Sequence, residues 1–171
     1  MKPTAIVYTT NTGNTARYAE MLAEKLQLPL YSLDQAVKTL PKRTPVIYLG
    51  WLMAGKIKDY GKVKRRYRIV AVGAVGLGAT GTLSESLRKG NRIGEEIALF
   101  ELQGGMDHAK LKGIYKTMIE TLIKMLSKKK NRTPDEDAML EMIKAGGDFT
   151  KEENLAGVVE WYGEIKEREA E

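Results

Sequence analysis

Short apolar runs rich in β-branched residues alternate along this chain with segments in which apolar residues recur every three or four positions. The apolar runs predict five strands, at about residues 4–9, 28–33, 45–49, 67–75 and 97–102. The first helical pattern covers residues 14–26, where Ala19, Leu22, Ala23 and Leu26 share one face. This alternation predicts an α/β domain in which helices cover both faces of a parallel sheet.

Capping residues predict where several helices begin and end. Four Ser/Thr-x-x-Glu/Gln patterns are typical of helix starts, and they are Ser32 with Gln35, Thr82 with Glu85, Thr133 with Glu136, and Thr150 with Glu153. Gly90 and the pair Gly146-Gly147 predict helix ends.

Two predicted helices follow the fifth strand, between Gly104 and Gly147. On the first, apolar residues at helical spacing predict a stripe that packs into the core: Leu111, Ile114, Tyr115, Met118, Leu122, Met125 and Leu126. The 171 residues are predicted to form one domain, with a helical insertion at about residues 104–148.

The loop between the first strand and the first helix is polar at nearly every position. It consists of Thr10, Asn11, Thr12, Gly13, Asn14 and Thr15. A helix that starts directly after such a loop gathers unpaired backbone N–H groups at the positive end of its dipole, and Thr and Asn add uncharged donors. The loop is therefore predicted to bind a phosphate group, with an ordinary capped helix as the alternative. Because it contains no lysine, it is not a nucleoside-triphosphate loop.

Two further segments follow strands at what should be the same edge of the sheet. The segment after the third strand is apolar, although a loop at this place is normally polar, and it consists of Trp51, Leu52, Met53, Ala54 and Gly55. A flat aromatic ligand bound against this segment would explain its apolar residues. After the fourth strand, the turn Gly76-Leu77-Gly78-Ala79-Thr80-Gly81 allows the backbone to approach a ring closely. Since the carboxyl ends of parallel strands share one edge, all three segments are expected to meet there.

The glycine-rich turn also supports a different interpretation. It matches G-x-G-x-x-G between a strand and a helix, and Glu101 lies twenty residues beyond Gly81, near the end of the next strand. This is the arrangement expected of a nicotinamide dinucleotide site. An NAD(P)-binding enzyme that uses Gly76–Gly81 and Glu101 therefore remains an alternative.

The composition excludes several classes of chemistry. The chain has no cysteine and one histidine, so disulfides, thiolate metal sites, cysteine nucleophiles and multi-histidine metal sites are excluded, and no metal is expected. Redox chemistry would need a bound cofactor. His108 is more typical of a surface or capping residue than of an acid–base catalyst, and no other side chain stands out as catalytic. The lack of a membrane-spanning or signal-like apolar segment predicts a cytoplasmic location.

The chain is basic, with a formal net charge of +6. Much of this charge lies in residues 56–68, directly after Gly55. Such a stretch suits an anionic substrate, an acidic redox partner protein or peripheral contact with an anionic membrane, and nucleic acid is the least expected partner. A solvated helix face is an equally good explanation.

The pattern Thr10-x-Thr12-Gly13-x-Thr15 resembles the phosphate loop of flavodoxins, which holds the monophosphate of FMN. Residues 47–56 resemble the second flavin loop of that family, and residues 75–80 occupy the place of the third. The resemblance extends over the whole chain in element order. It implies a three-layer sandwich, a five-stranded parallel sheet of strand order 2-1-3-4-5, and FMN as the cofactor.

Carried over to this chain, the resemblance assigns cofactor contacts to all three segments. Residues 10–15 would bind the phosphate, Trp51 to Gly55 would flank the isoalloxazine, and Gly76 to Ala79 would pass along its pyrimidine end. The positive charge is a departure, because flavodoxins as a family are acidic.

The extra helices point to a subgroup of that family. Residues 97–105, followed by a basic, Met-rich helix, are similar to the flavodoxin-domain proteins that include the oxygen-independent protoporphyrinogen oxidases, which are also basic. This similarity implies a two-electron oxidoreductase that acts on a small aromatic substrate such as a quinone or porphyrinogen. A one-electron carrier serving a redox partner protein, and a flavodoxin-like scaffold without flavin, are the alternatives.

Overall fold

The computed structural model describes residues 1–78 and 83–168. The strands are β1 (Ala5–Thr9), β2 (Leu30–Ser32), β3 (Pro45–Met53), β4 (Lys56–Ile57), β5 (Arg68–Gly76), β6 (Ala98–Gln103), β7 (Gly105–Met106) and β8 (Gly147–Asp148). The helices are α1 (Asn14–Leu26), α2 (Leu33–Thr39), α3 (Tyr60–Arg66), α4 (Ser84–Asn91), α5 (Gly113–Lys128), α6 (Pro134–Ala145) and α7 (Ala156–Arg168), with a 3₁₀ helix at Glu152–Leu155. The predicted α/β class is confirmed.

The main sheet is mostly parallel. Its strands lie side by side in the order β2-β1-β3-β5-β6, and every pair along this path is parallel. The short β4 pairs with β3 in the antiparallel direction, which makes six strands, and β7 and β8 form a separate antiparallel pair. The predicted five-stranded sheet of order 2-1-3-4-5 omitted β4, so its strand count was wrong and the strand numbers differ. The five predicted strands are β1, β2, β3, β5 and β6.

The additional strand arises from a tight turn at the end of β3. Ala54 and Gly55 have φ values of 48° and 74°, so both lie in the left-handed region. Two successive positive φ angles are the signature of a type I′ hairpin turn, whose twist matches the strands that it joins. The chain reverses there, and Leu52 pairs with Ile57 while Met53 pairs with Lys56.

Both faces of the main sheet are buried. Along β3, Val46 and Tyr48 belong to one apolar cluster, and Ile47 and Leu49 belong to the other. This alternation follows from the two-residue period of a strand. Residues of α2, α3 and α4 complete the first cluster, and residues of α1 and α7 complete the second. The helices therefore form a layer on each side of the sheet, as predicted.

Two of the predicted capping boxes are confirmed. Ser32 accepts a hydrogen bond from the Gln35 backbone N–H while the Gln35 side chain returns one to Ser32, and Thr133 and Glu136 exchange the same pair of bonds at the start of α6. The Thr82–Glu85 box cannot be compared, because Thr82 lies outside the described residues. Helix α4 runs through Gly90 and ends one residue later than predicted.

The predicted helix start at Thr150 was wrong. The Thr150 N–H donates to the Asp148 carboxylate at 2.9 Å, which holds Thr150 in a local turn. A 3₁₀ helix then begins at Glu152, with no side-chain cap from the described residues, and α7 follows it.

The insertion between β6 and α7 contains β7, α5, α6 and β8, and it does not bury the predicted stripe. Leu111 is buried, but no residue of α5 is, and Ile114, Met118 and Met125 are exposed by 69%, 41% and 64%. The prediction of a core-facing stripe was wrong because α5 packs mainly against α6, which leaves these three side chains exposed.

Among the described residues, none of the helices is both long and apolar enough to cross a membrane.

Candidate functional site

The polar loop joins β1 to α1 at the carboxyl edge of the sheet. The chain leaves β1 towards β2 on one side and later returns to β3 on the other, so this edge between β1 and β3 is the topological switch point. Gly13 precedes α1 with φ of 105°, a conformation that favours glycine. No side chain of the described residues caps α1, and its first turn holds no acid. The N–H groups of that turn are open to an anion.

The polar side chains around this turn have few protein partners. The Thr10 hydroxyl accepts a hydrogen bond from the Gly13 N–H at 3.2 Å. The side chains of the other polar residues make no hydrogen bond with the described part of the chain, and these are Asn11, Thr12, Asn14 and Thr15. Thr15 is 2% exposed as a residue, and it lies in the first turn of α1. These donors fit a phosphate oxygen.

Tyr48 links the start of the polar loop to the β3–β4 hairpin. Its ring is fully buried, and its hydroxyl donates to the backbone carbonyl of Lys58 at 2.5 Å while it accepts from the Thr9 hydroxyl at 3.0 Å. Burial raises the pKa of the Tyr48 hydroxyl, so that it keeps its proton and remains a donor. The polar loop and the hairpin therefore share one hydrogen-bonded anchor.

The apolar segment after the third predicted strand is not a loop. Trp51, Leu52 and Met53 are the last residues of β3, and Ala54 and Gly55 form the turn into β4. The prediction was wrong because Leu52 and Met53 have antiparallel partners in β4, which the strand pattern did not reveal.

The segment nevertheless lies at the predicted edge of the sheet. Gly50 pairs with Thr9, the last residue of β1, so Trp51 to Gly55 extend beyond the end of that strand. Trp51, Leu52 and Met53 are each partly exposed there.

The ring of Trp51 contacts the insertion. It meets the ring of Tyr115 edge-on, with centroids 5.1 Å apart and planes at 85°. The ammonium of Lys58 lies 5.6 Å from the centroid of the Tyr115 ring. The hydrogen bond of Lys58 with Tyr115 raises the pKa of the ammonium. Helix α5 thus brings an aromatic ring to the end of β3, where the Lys58 cation lies beside it.

The hairpin is held from its other side by the end of α4. The Asn91 side chain donates to the carbonyl of Gly55 at 2.9 Å and accepts from the Ile57 N–H at 2.8 Å. The Lys56 ammonium donates to the carbonyl of Gly90. A cation at the carboxyl end of a helix is favoured by the dipole, so Lys56 stabilises this junction.

The glycine-rich turn begins at the same edge. Gly76 is the last residue of β5, and a Cβ atom there would lie 2.8 Å from the Leu52 side chain. Leu77 accepts a weak hydrogen bond at 3.4 Å from the Gln103 amide, and Gly78 has open space around its Cα. Ala79, Thr80 and Gly81 lie outside the described residues.

Glu101 has a structural role. It is 8% exposed, and its carboxylate accepts from the Leu83 N–H, at 3.0 and 3.1 Å to the two oxygens, and from the Ser84 hydroxyl. It therefore caps the start of α4 from the neighbouring strand, where a negative charge suits the helix dipole. These bonds occupy the oxygens that a nicotinamide ribose would need.

A cavity lies on the other side of the polar loop, between α1 and the β7–β8 pair. It has a volume of about 640 Å³, and Thr12, Gly13 and Asn14 are the predicted site residues that line it. Arg17 forms an ion pair with Asp148 across it. His108 also lines the cavity, but its Nε2 atom lies 2.7 Å from the Ile143 carbonyl, so this ring nitrogen is bound within the insertion.

Sequence reasoning missed two residues that shape this edge. Tyr48 was assigned only to a strand, and Tyr115 only to a core stripe. The apolar residues of α5 cover about half of its circumference, which is more than one neighbouring helix can bury. The width of this apolar face was the signal in the sequence from which the contact of Tyr115 could have been found.

No family model, no curated protein and no solved structure matches this chain.

Proposed function

We propose that the chain has a flavodoxin-like fold and binds FMN, with the phosphate held by residues 10–15. The observation that carries this proposal is the uncapped start of α1, surrounded by unpartnered Thr and Asn side chains at the switch point of the sheet. Uncharged donors and a helix dipole suit a phosphate monoester, which carries close to two negative charges.

The flavin ring would lie along the edge formed by the ends of β3 and β5. Trp51, Leu52 and Met53 would contact it from one strand, and Leu77 and Gly78 from the other. Bound FMN would supply electron transfer, in one-electron or two-electron steps. The apolar side chains at this edge would exclude water from the ring. Tyr48 would fix the position of the polar loop relative to the hairpin through its hydrogen bonds with Thr9 and Lys58.

Within this proposal, an oxidoreductase is favoured over a carrier. A carrier needs an exposed flavin edge for its partner proteins, whereas α5 brings Tyr115 to the end of β3, where it contacts Trp51. A ring and the adjacent Lys58 cation suit a small aromatic substrate such as a quinone or a porphyrinogen-like compound. Steady-state turnover of a quinone would support the enzyme, and turnover only through a protein acceptor would support the carrier.

The FMN assignment is tested by replacing Thr12 and Thr15 with alanine together. Each lost hydrogen bond to a charged phosphate costs about 1.5–3 kcal/mol, so the Kd for FMN should rise by roughly two to four orders of magnitude. Flavin fluorescence titration measures the change. The matched control replaces Thr39 and Thr117, two exposed threonines on α2 and α5, and should leave the Kd unchanged. Equal affinities in both double variants would refute the phosphate site.

A further inference from the structure

Helix α5 carries an apolar row on its outer surface. The row consists of Ile114, Met118 and Met125, which are exposed by 69%, 41% and 64%. At 100° per residue these three side chains lie within a narrow sector of the helix, and they extend about 16 Å along its axis. We call them the α5 outer row.

The outer row is separate from the part of α5 that packs inward. Tyr115, Ile119, Leu122, Ile123 and Leu126 are partly buried and occupy the adjoining sector, and α5 contacts α6. The apolar arc of α5 is thus wider than the surface that the rest of the described chain covers. Exposed apolar rows on a helix mark interaction surfaces.

The charge of the same segment is strongly positive. Residues 110–130 contain seven lysines and one acid, Glu120, which gives a net charge of +6 and equals the net charge of the whole chain. Lys116, Lys124 and Lys128 lie on α5 itself and are exposed. At 100° per residue, Lys124 and Lys128 lie on the side of the helix that adjoins the outer row, whereas Lys116 lies on the opposite side. An apolar row beside lysines whose long stems can reach past it is the composition of a helix that lies in a lipid interface.

The acids of the neighbouring helix have partners within the insertion. Glu136 pairs with Lys129, Asp137 with Arg132, and Glu141 with Lys144. Lys124 and Lys128 are therefore not neutralised by these acids, while Lys116 pairs with Glu120 of α5 itself at 4.0 Å.

We propose that the α5 outer row and its lysines bind the surface of an anionic membrane. A second copy of the chain would bring two surfaces of like charge together, which is unfavourable. A lipid surface, by contrast, can bind both groups of residues. Its acyl chains contact the apolar row, and its anionic headgroups pair with the lysines. The proposal rests on this surface and not on the proposed FMN site.

Vesicle cosedimentation tests the proposal with the full chain. Vesicles of phosphatidylcholine with one third phosphatidylglycerol should bind the protein, and vesicles of phosphatidylcholine alone should bind it at least tenfold more weakly. The double variant Lys124→Glu, Lys128→Glu should lose roughly a hundredfold or more in partition. A second variant, Ile114→Ser, Met118→Ser, Met125→Ser, should lose binding without a change in charge. Circular dichroism of each variant checks that its helices are intact.

The matched control reverses two exposed lysines on other elements, Lys38 on α2 and Lys166 on α7, which lowers the net charge by the same amount. It should retain binding to within about threefold, since electrostatic attraction acts only over a Debye length. An equal loss in the control would overturn the proposal in favour of bulk charge.

Two other results would also overturn it. One is vesicle binding that survives both α5 variants but is lost when Lys62, Lys64 and Arg65 of α3 are reversed, which would move the contact to that helix. The other is wild-type protein that ignores anionic vesicles while α5 mediates a dimer or binds an acidic protein, as measured by analytical ultracentrifugation.

Discussion

The indole of Trp51 and the phenol ring of Tyr115 meet edge-on, with centroids 5.1 Å apart, although 64 positions separate them in the sequence. Trp51 lies near the end of the central strand β3, and Tyr115 belongs to α5 of the insertion. This contact is the point at which the insertion reaches the carboxyl edge of the sheet. An edge-to-face pair of this kind contributes about 0.5–1.5 kcal/mol beyond the area it buries.

We expect FMN to quench the fluorescence of Trp51. A tryptophan beside a bound flavin loses most of its emission, so FMN titration should quench the wild type strongly, and Trp51→Phe should remove most of that quench. The matched control is Trp161→Phe, because Trp161 lies on α7 against Phe100, with ring centroids 5.8 Å apart. Quenching that persists in Trp51→Phe and disappears in Trp161→Phe would mean that the flavin does not lie beside Trp51.

Tyr48→Phe should weaken the anchor between the polar loop and the hairpin. Removing the hydroxyl leaves the Lys58 carbonyl and the Thr9 hydroxyl without their partner, and the expected loss is about 1–3 kcal/mol in the free energy of unfolding. Urea denaturation measures it. Tyr31→Phe is the control, since the Tyr31 hydroxyl has no hydrogen bond with the described residues, and it should change the stability by less than about 0.5 kcal/mol. Equal effects in the two variants would show that the bridge contributes nothing.

Glu101→Gln should act on stability and not on nucleotide binding. Loss of the charge weakens the bonds from Leu83 and Ser84 at the start of α4, with an expected cost of about 1.5–3 kcal/mol. The exposed Glu95 gives the control, Glu95→Gln, which should be nearly neutral. Should the wild type bind NADH, and Glu101→Gln abolish that binding without loss of stability, the dinucleotide interpretation would be correct instead.

Gly104→Ala should destabilise the junction between β5 and β6. The new Cβ atom would lie 2.6 Å from the Val75 side chain, which is buried, and the Gly104 backbone is fixed by its bond to the Gly76 carbonyl at 2.7 Å. We expect a loss of about 1–3 kcal/mol in thermal or urea unfolding.

A glycine with open space around it should respond in the opposite direction. Gly61 lies in α3 with no atom within 4 Å of a Cβ position, so Gly61→Ala should stabilise the protein by about 0.5–1 kcal/mol. If both substitutions shifted the midpoint in the same direction, the close approach at Gly104 would not be the cause.

The ion pair of Arg17 with Asp148 should make a pH-dependent contribution to stability. Burial alone would raise the pKa of Asp148, but the hydrogen bonds from Thr150 and the Arg17 guanidinium lower it below its ordinary value of 3.8. Because the folded-state pKa is the lower one, the stabilisation is complete above the unfolded pKa and is lost as the pH falls through the folded pKa. Both side chains are about half exposed, so the effect should be about 0.2–1 kcal/mol.

Arg17→Gln checks this prediction. The difference in unfolding free energy between the wild type and Arg17→Gln should be present at pH 7 and shrink below pH 3.8. The control is Arg168→Gln, since Arg168 pairs with Glu164 on an exposed face of α7. A difference that grows as the pH falls would contradict the sign of the argument.

Local features of the chain determined most of the elements. The bounds of α1 agree with the prediction because the polar loop, Gly13 and the 3.6-residue period all act within one segment. The capping boxes at Ser32 and Thr133 have the predicted bonds for the same reason. The gathering of the three predicted segments at one edge followed from strand alternation, since parallel strands must bring their carboxyl ends together.

Contacts between distant residues decided the rest. Leu52 and Met53 became strand because β4 folds back on them, and Glu101 became a helix cap because β6 lies beside the start of α4. Whether the apolar residues of α5 lie in the core or on the surface depends on how many elements pack around that helix. The periodicity of the sequence shows which residues share a face of the helix, but not which elements pack against that face. The meeting of Trp51 with Tyr115 is likewise a product of tertiary packing, because nothing in either segment specifies the other.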